Sequence, residues 1–346
     1  MPRVDAWGVT GPGKAVEALQ IDRREPGAHD VVIDIHYSGV CHSDIHTARG
    51  EWGEPMYPVV TGHEIVGRVT AIGSAVTKFR VGDLAGVGVI VDSCRDCDAC
   101  NAGFENYCLR QNVGTYNSRE LVNGATTYGG YATSIVTDER FTHVIPTNLD
   151  AAAVAPLLCA GITLWSPLRH WNVGAGTRVA IMGMGGLGHM GIKLAHALGA
   201  HVTVLSHSAS KRDDALRLGA DEFVVTSDPK ALELLRGSFD LILNTVSADV
   251  DINVYLKLLA WNGTLVLLGL PGKPVAVQAG SLMDKRRSLA ASGIGGLTET
   301  QEMLNFCGQH NIVSDIELIT PSQINEAWDR VVASDVKYRF VIDIKA

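Results

Sequence analysis

Between Arg178 and Leu268, short apolar runs alternate with helical stretches, and this rhythm constrains the fold more than any other feature of the chain. Arg178 to Gly183 reads as a buried strand, Leu187 to Leu198 as a helix closed by Gly199, and His201 to Leu205 as a second strand. Helix Lys211 to Leu218, strand Phe223 to Val225, helix Pro229 to Leu235, strand Phe239 to Thr245, helix Asp251 to Leu259 and strand Thr264 to Leu268 follow. Alternation at these lengths predicts an α/β domain, a parallel sheet with helices on both faces.

The flanks have a different character. Residues 1–159 read as β-rich and irregular, with strand-like runs at Val31 to Tyr37, Ile65 to Ile72 and Leu84 to Val91, punctuated by Gly and Pro. Residues 294–346 break the alternation: Thr298 to His310 and Gln323 to Ala333 look helical, and Tyr338 to Ile344 is a closing strand. We expect this tail to pack back on the first domain. The predicted organisation is a domain of 1–159 completed by 294–346 and interrupted by an α/β domain of 160–293, a length that suits two cores.

Charge excludes one class of partner. The net charge is −8 and the pI about 5.8, so no basic face for nucleic acid is expected. The cluster Lys285-Arg286-Arg287 reads as a solvated turn or a phosphate-side feature. The amino-terminal residues lack the apolar core of a secretory signal. The longest uncharged run, Ala151 to Leu168, reaches only the lower edge of membrane-spanning length and holds Pro156, Gly161 and Pro167, so it reads as buried core and a helix start. No membrane partner and a cytoplasmic location are the expectation. In a reducing compartment, seven cysteines favour metal ligation over disulfides.

Four of those cysteines, Cys94, Cys97, Cys100 and Cys108, follow C-x2-C-x2-C-x7-C, a set able to close a tetrahedral zinc site with no vacancy. An iron–sulfur cluster is the runner-up, but that pattern continues x3-Cys-Pro, whereas here the fourth cysteine follows x7 and precedes Leu109. Cys41, His63 and Cys159 form a Cys2His set that leaves a fourth position open, the donor chemistry of a catalytic zinc. Glu64 adjoins His63, and Asp44 is a candidate acceptor for a ligand's ring N–H. Two zinc ions per subunit are expected. Singly, Cys159 reads as a small buried residue and His63 as a core histidine; beside a dinucleotide fold the joint reading is stronger. Cys307 reads as a buried core thiol.

Gly183, Met184, Gly185, Gly186, Leu187 and Gly188 fit G-x-G-x-x-G between a predicted strand and helix. Such glycines let backbone approach a pyrophosphate at a helix amino terminus. After the next strand, where an NAD site carries a carboxylate, stand Ser206, His207, Ser208, Ala209, Ser210, Lys211 and Arg212. Hydroxyls and cations suit a 2′-phosphate, so NADP(H) is the predicted cofactor. The alternative is a loop and helix cap with Lys211 solvated.

Together GVCHSDIH, Gly62-His63-Glu64, the four-cysteine loop, PLLCAGIT, GMGGLGHMG and VKYRFVIDI resemble the zinc-dependent medium-chain alcohol dehydrogenases. The closer resemblance is to the cinnamyl alcohol dehydrogenase and bacterial NADPH-dependent aldehyde reductase branch. It implies a Rossmann domain, a doubly wound parallel sheet, beside a β-rich GroES-like catalytic domain. It also implies hydride transfer between NADP(H) and small-molecule substrates, primary alcohols or aldehydes that are aromatic or otherwise bulky and of broad range, by a homodimer paired through its nucleotide sheets. By this resemblance Cys41, His63 and Cys159, with Glu64 alongside, hold catalytic zinc. Ser43 passes a proton through the cofactor ribose to His46, while Thr245, Gly269, Ser292, Gly293 and Ile294 add cofactor contacts. Plant lignin enzymes carry aromatics where this chain has Gly114 and Gly293, which implies a more open pocket; Trp52 is either an aromatic wall or core. The rivals are an NAD-dependent polyol dehydrogenase on the same fold, a zinc-free quinone reductase and a non-catalytic sensor binding zinc and NADP.

Overall fold

The computed structural model describes residues 2–346. Its contacts divide the chain into two compact units, one of Met1–Ile162 with Gly295–Ala346 and one of Thr163–Ile294.

The second unit is built on a six-stranded, wholly parallel sheet. In spatial order its strands are Glu222–Val225, His201–Ser206, Arg178–Met182, Phe239–Asn244, Leu259–Leu267 and Ser288–Ala291. Numbered along the chain this is 3-2-1-4-5-6, the dinucleotide-binding order, whose direction reverses between Arg178–Met182 and Phe239–Asn244. Beyond Arg178 every residue of the first strand is buried, as a sheet covered on both faces requires. Each fully buried Val, Ile or Leu contributes about 1.5–3 kcal/mol. Helix starts are set locally: Asp228 accepts from the N–H of Lys230 with Pro229 in the first turn, and Asp251 accepts from that of Asn253.

One strand went unread in the sequence, and one expectation needs correction. The edge strand Ser288–Ala291 had no apolar alternation to announce it. The basic cluster is not simply solvated. Arg287 is buried and donates to the carbonyls of Leu259 and Ser281, each at 3.0 Å, while Arg286 lies 5.4 Å over the Trp261 ring. These arginines satisfy the irregular start of strand Leu259–Leu267.

The first unit carries a seven-stranded sheet. Its path runs Ile316–Ile319, Arg339–Asp343, Asp30–Gly39, Ile65–Ile72, Leu84–Val87 and Thr142–Val144, and Ser134–Asp138 also pairs with Asp30–Gly39. The closing strand Arg339–Asp343 is thus antiparallel to Asp30–Gly39, Val341 opposite Gly39. Ile33, Ile35, Ile65, Val87, Tyr131, Phe340 and Ile342 form the core beneath it. The predicted strand Leu84 to Val91 is broken into Leu84–Val87 and Ile90–Asp92, which belong to different sheets. The chain turns at Gly88, where a Cβ would lie 3.1 Å from the Leu158 carbonyl.

The run from Ala151 to Leu168 is helix Ala151–Val154, a 3-10 turn Ala155–Leu158 and helix Ala160–His170. Its two halves bend by 56°, and no single helix is long and apolar enough to cross a membrane among the described residues.

Candidate active site

Cys41 caps the helix His42–Ala48 and is tied down by that helix's own first turn. The buried Asp44 accepts from the backbone N–H of Cys41 at 2.8 Å and from that of Gly62 at 2.9 Å. Its Oδ1 lies 3.1 Å from His63 Nδ1, so Nδ1 is the donor and Nε2 keeps a lone pair for a metal. Gly62 must be glycine: its φ is +100°, and a Cβ would lie 2.7 Å from the Tyr131 ring. Cys159 follows the turn Ala155–Leu158, its Sγ 4.0 Å from that of Cys41. Two sulfurs about 2.3 Å from one tetrahedral zinc stand about 3.8 Å apart, so this spacing fits.

Donor atoms of Cys41, His63, Glu64 and Cys159 all lie within 4.8 Å of one another. Glu64 is fully buried and pairs through Oε1 with Arg339 of the closing strand. Its Oε2 has no hydrogen-bond partner among the described residues, an orphan a cation would satisfy. Gly39 leaves it room, since a Cβ there would fall 1.9 Å from Oε2.

The electrostatics agree with a cation. The hydrogen bond from Cys159, then Arg339 and His63, holds the Cys41 thiol well below its ordinary range, while the same bond and burial raise Cys159. Burial opposes charge on His63, but Asp44 outweighs it and raises the imidazole. Burial pushes Glu64 up to about 7 against the pull of Arg339. A metal replaces the protons such a set retains.

Ser43 and His46 lie on the same short helix. Ser43 Oγ is 3.6 Å from Cys41 Sγ. His46 bonds through Nδ1 to the Glu51 carboxylate and stacks on Trp52 at 5.0 Å. Trp52 is 53% exposed, so it is not core. The Tyr116 ring sits 5.6 Å from that of His63. Glu51, Tyr116 and Arg339 were not singled out from the sequence. Glu51 had a faint signal in its spacing from His46; Arg339 had none, its partner lying 275 residues away.

In the cysteine-only loop, donor atoms of Cys94, Cys97, Cys100 and Cys108 are likewise within 4.8 Å of one another. Backbone N–H groups serve the sulfurs, Leu109 to Cys97 at 3.3 Å and Cys94 to Cys108 at 3.4 Å. Backbone donors bring Cys97 down to about 6, whereas burial raises Cys100 to about 11.

The glycine turn of the second unit shows three separate needs. Gly183 has φ +92°, and a Cβ would lie 2.8 Å from Thr245 Oγ1. A Cβ on Gly188 would lie 2.1 Å from the Gly183 carbonyl, which seats helix Gly188–Ala197 close to its strand. Among the described residues nothing lies within 4 Å of a Cβ on Gly185, so backbone there is open to a ligand. These are the turn, packing and approach roles of a dinucleotide fingerprint. Met184, Gly186 and Leu187 complete the turn. Thr245 Oγ1 donates to the Met182 carbonyl at 2.8 Å, and a Cβ on Gly269 would meet the Val246 carbonyl at 2.5 Å.

The buried Ser206 ends the second strand, and its Oγ accepts from the N–H of Ser208 at 3.4 Å. His207 is exposed, and Lys211 Nζ reaches back to the Met184 carbonyl at 2.8 Å. No carboxylate stands between Ser206 and Lys211. Ser292, Gly293 and Ile294 follow strand Ser288–Ala291; Gly293 has open space at its Cβ position, and Ile294 takes φ +45°, a strained conformation for a β-branched residue.

Comparison with known proteins agrees with both halves of this description. Residues 27–147 match the alcohol dehydrogenase GroES-like domain and residues 186–309 the zinc-binding dehydrogenase domain. Over 346 residues the chain is 58% identical to the NADP-dependent alcohol dehydrogenase C of Mycobacterium bovis, covering 100% of both. It is 51% identical to the aldehyde reductase YahK of Escherichia coli, over 99% of this chain and 98% of that one. A solved cinnamyl alcohol dehydrogenase from Sorghum bicolor superposes with a TM-score of 0.96 at 40% identity, over 99% of this chain and 98% of that chain.

Proposed function

The chain belongs to the zinc-dependent medium-chain alcohol dehydrogenases, in the branch of the cinnamyl alcohol dehydrogenases and bacterial aldehyde reductases, and we propose that it acts mainly as a reductase of bulky, aromatic-type aldehydes. Its reaction is the NADP-dependent interconversion of alcohol and aldehyde. The observation that carries this reading is the convergence of Cys41, His63, Glu64 and Cys159 on one point, donor atoms within 4.8 Å.

In this reading Cys41, His63 and Cys159 hold a catalytic zinc with Glu64 alongside, and Cys94, Cys97, Cys100 and Cys108 hold a structural one. The turn Gly183–Gly188 holds the cofactor pyrophosphate, and Ser206 to Lys211 take its 2′-phosphate. Thr245, Gly269, Ser292, Gly293 and Ile294 line the rest. When bound, zinc supplies a Lewis acid for the carbonyl oxygen and the nicotinamide supplies the hydride. Ser43 delivers the proton that the product oxygen needs, and His46 resupplies it from solvent. Glu51 holds the Nδ1 proton of His46, so Nε2 is the nitrogen that exchanges. Asp44 fixes His63 by the same logic. The glycines at 114 and 293 favour wide substrates over a shaped aromatic slot.

The functional form in this reading is a homodimer. Strand Ser288–Ala291 ends the sheet with its outer edge unpaired among the described residues, and Leu270, Met283 and Trp261 are exposed in the flanking segments. Six cysteines gathered in two thiol-rich clusters suit a reducing cytoplasm.

A panel of aromatic and short aliphatic aldehydes, assayed on the zinc-loaded protein with NADPH and NADH, tests the proposal. Higher kcat/KM with NADPH and with aromatic aldehydes is expected. Preference for NADH overturns the role given to Ser206–Lys211, and absence of aldehyde-dependent cofactor oxidation overturns the function.

A further inference from the structure

A glycine turn grips an anion through backbone N–H groups, and it does so only if each peptide is held the right way round. In a planar trans peptide the C=O and the following N–H point in opposite directions, so fixing one aims the other. The Gly185 carbonyl is fixed twice by one residue. It accepts from the backbone N–H of His189 at 3.1 Å, and the His189 Nδ1 lies 3.3 Å from the same oxygen. A carbonyl oxygen only accepts, so Nδ1 carries the proton.

His189 is fully buried in the first turns of helix Gly188–Ala197, among neighbours such as Met190 and Ile192 that are also 0% exposed. Burying an imidazole where leucine would pack is costly unless its hydrogen bond is needed. The space beside Gly185 is open, with nothing among the described residues within 4 Å of a Cβ there. The preceding peptide is held in the same manner, Lys211 Nζ occupying the Met184 carbonyl at 2.8 Å.

We infer that His189 is a positioning residue for the cofactor: by holding the Gly185 carbonyl inward it aims the Gly186 N–H outward at the pyrophosphate. It touches no reacting atom. The inference rests on the reading of Gly183–Gly188 as the pyrophosphate site, and it adds a residue outside the G-x-G-x-x-G pattern.

Binding of NADPH, followed by its fluorescence, and of adenosine 2′-phosphate, which lacks a pyrophosphate, tests this on the full chain. His189→Leu keeps bulk and helix preference but removes the donor. His189→Asn places an amide N–H at the same number of bonds from the backbone as Nδ1. The Leu variant is expected to bind NADPH roughly five- to tenfold more weakly, with adenosine 2′-phosphate unchanged. The Asn variant is expected to recover most of the NADPH affinity. Wild-type NADPH affinity in the Leu variant overturns the inference, as does equal weakening toward both ligands or no recovery with Asn. Should the Leu variant fail to fold, the Asn variant decides: near-wild-type affinity supports the donor role, and weakened NADPH binding overturns it. Wild-type protein that binds NADPH no better than adenosine 2′-phosphate overturns the pyrophosphate reading itself, whatever the variants do.

Discussion

Ser43 stands two residues from Cys41, with Oγ 3.6 Å from that sulfur, and His46 follows one helical turn later with Glu51 on its Nδ1. A hydroxyl so placed can exchange a proton at the proposed metal site without carrying charge into it. Ser43→Ala is expected to lower kcat by roughly 10²-fold, the scale of a lost proton-transfer group. Near-wild-type turnover in a steady-state assay removes Ser43 from the mechanism. A different residue contributes to the pH dependence of stability. His143 is buried in strand Thr142–Val144, its Nδ1 lacks a partner among the described residues, and Lys78 Nζ donates to the adjacent Thr142 carbonyl at 2.6 Å. Burial, then Lys78, depresses its pKa to about 3. Unfolded chain therefore binds a proton that the folded chain refuses as pH falls below about 6.5, and stability is lost down to about pH 3 at about 1.4 kcal/mol per pH unit. Urea midpoints of His143→Leu should decline less steeply with acid than those of wild type; identical slopes refute the assignment.

The loop from Cys94 to Cys108 has little regular structure to hold it. It contains the four-residue helix Asp98–Asn101 and the 3-10 turn Glu105–Tyr107, with Phe104, Tyr107 and Leu109 exposed rather than packed. In the proposed reading four thiols on one metal substitute for the missing core, and zinc bound in this way contributes on the order of 10 kcal/mol in small peptides. Cys100→Ser is expected to lose the zinc equivalent of this loop and to lower Tm, with the substrate KM little changed. Unaltered zinc content and Tm in metal analysis and calorimetry contradict a structural role. Sequence was a good guide to elements with strong periodicity. Ile65–Ile72 has the bounds its strand-like run implies, and the strand–helix rhythm from Arg178 onward implied a parallel sheet. It was a poor guide where the chain bends for tertiary reasons, as at Gly88, or where a short edge strand such as Ser288–Ala291 depends on its neighbour. Donor sets were legible because cysteine and histidine spacing is chemically distinctive. Their supports, Glu51, Tyr116, Arg339 and His189, were not, because a common residue type acquires its role only from what the fold brings beside it.

At the scale of the whole molecule the first unit is discontinuous, its two parts separated by the whole of Thr163–Ile294. Arg339 is the buried countercharge of Glu64, and its strand pairs with Asp30–Gly39. A ribosome releases these pieces in order, amino end first. The nascent chain therefore exposes Cys41, His63 and Cys159 to the cell's metal pool well before residue 339 is made. During that interval the carboxylate of Glu64 has no guanidinium to meet it, and the sheet edge at Gly39 is bare. In the proposed reading the metal ligands are thus made before the strand that closes over them, and a stalled or shortened translation product would present thiols without the lid of charge that finishes their setting.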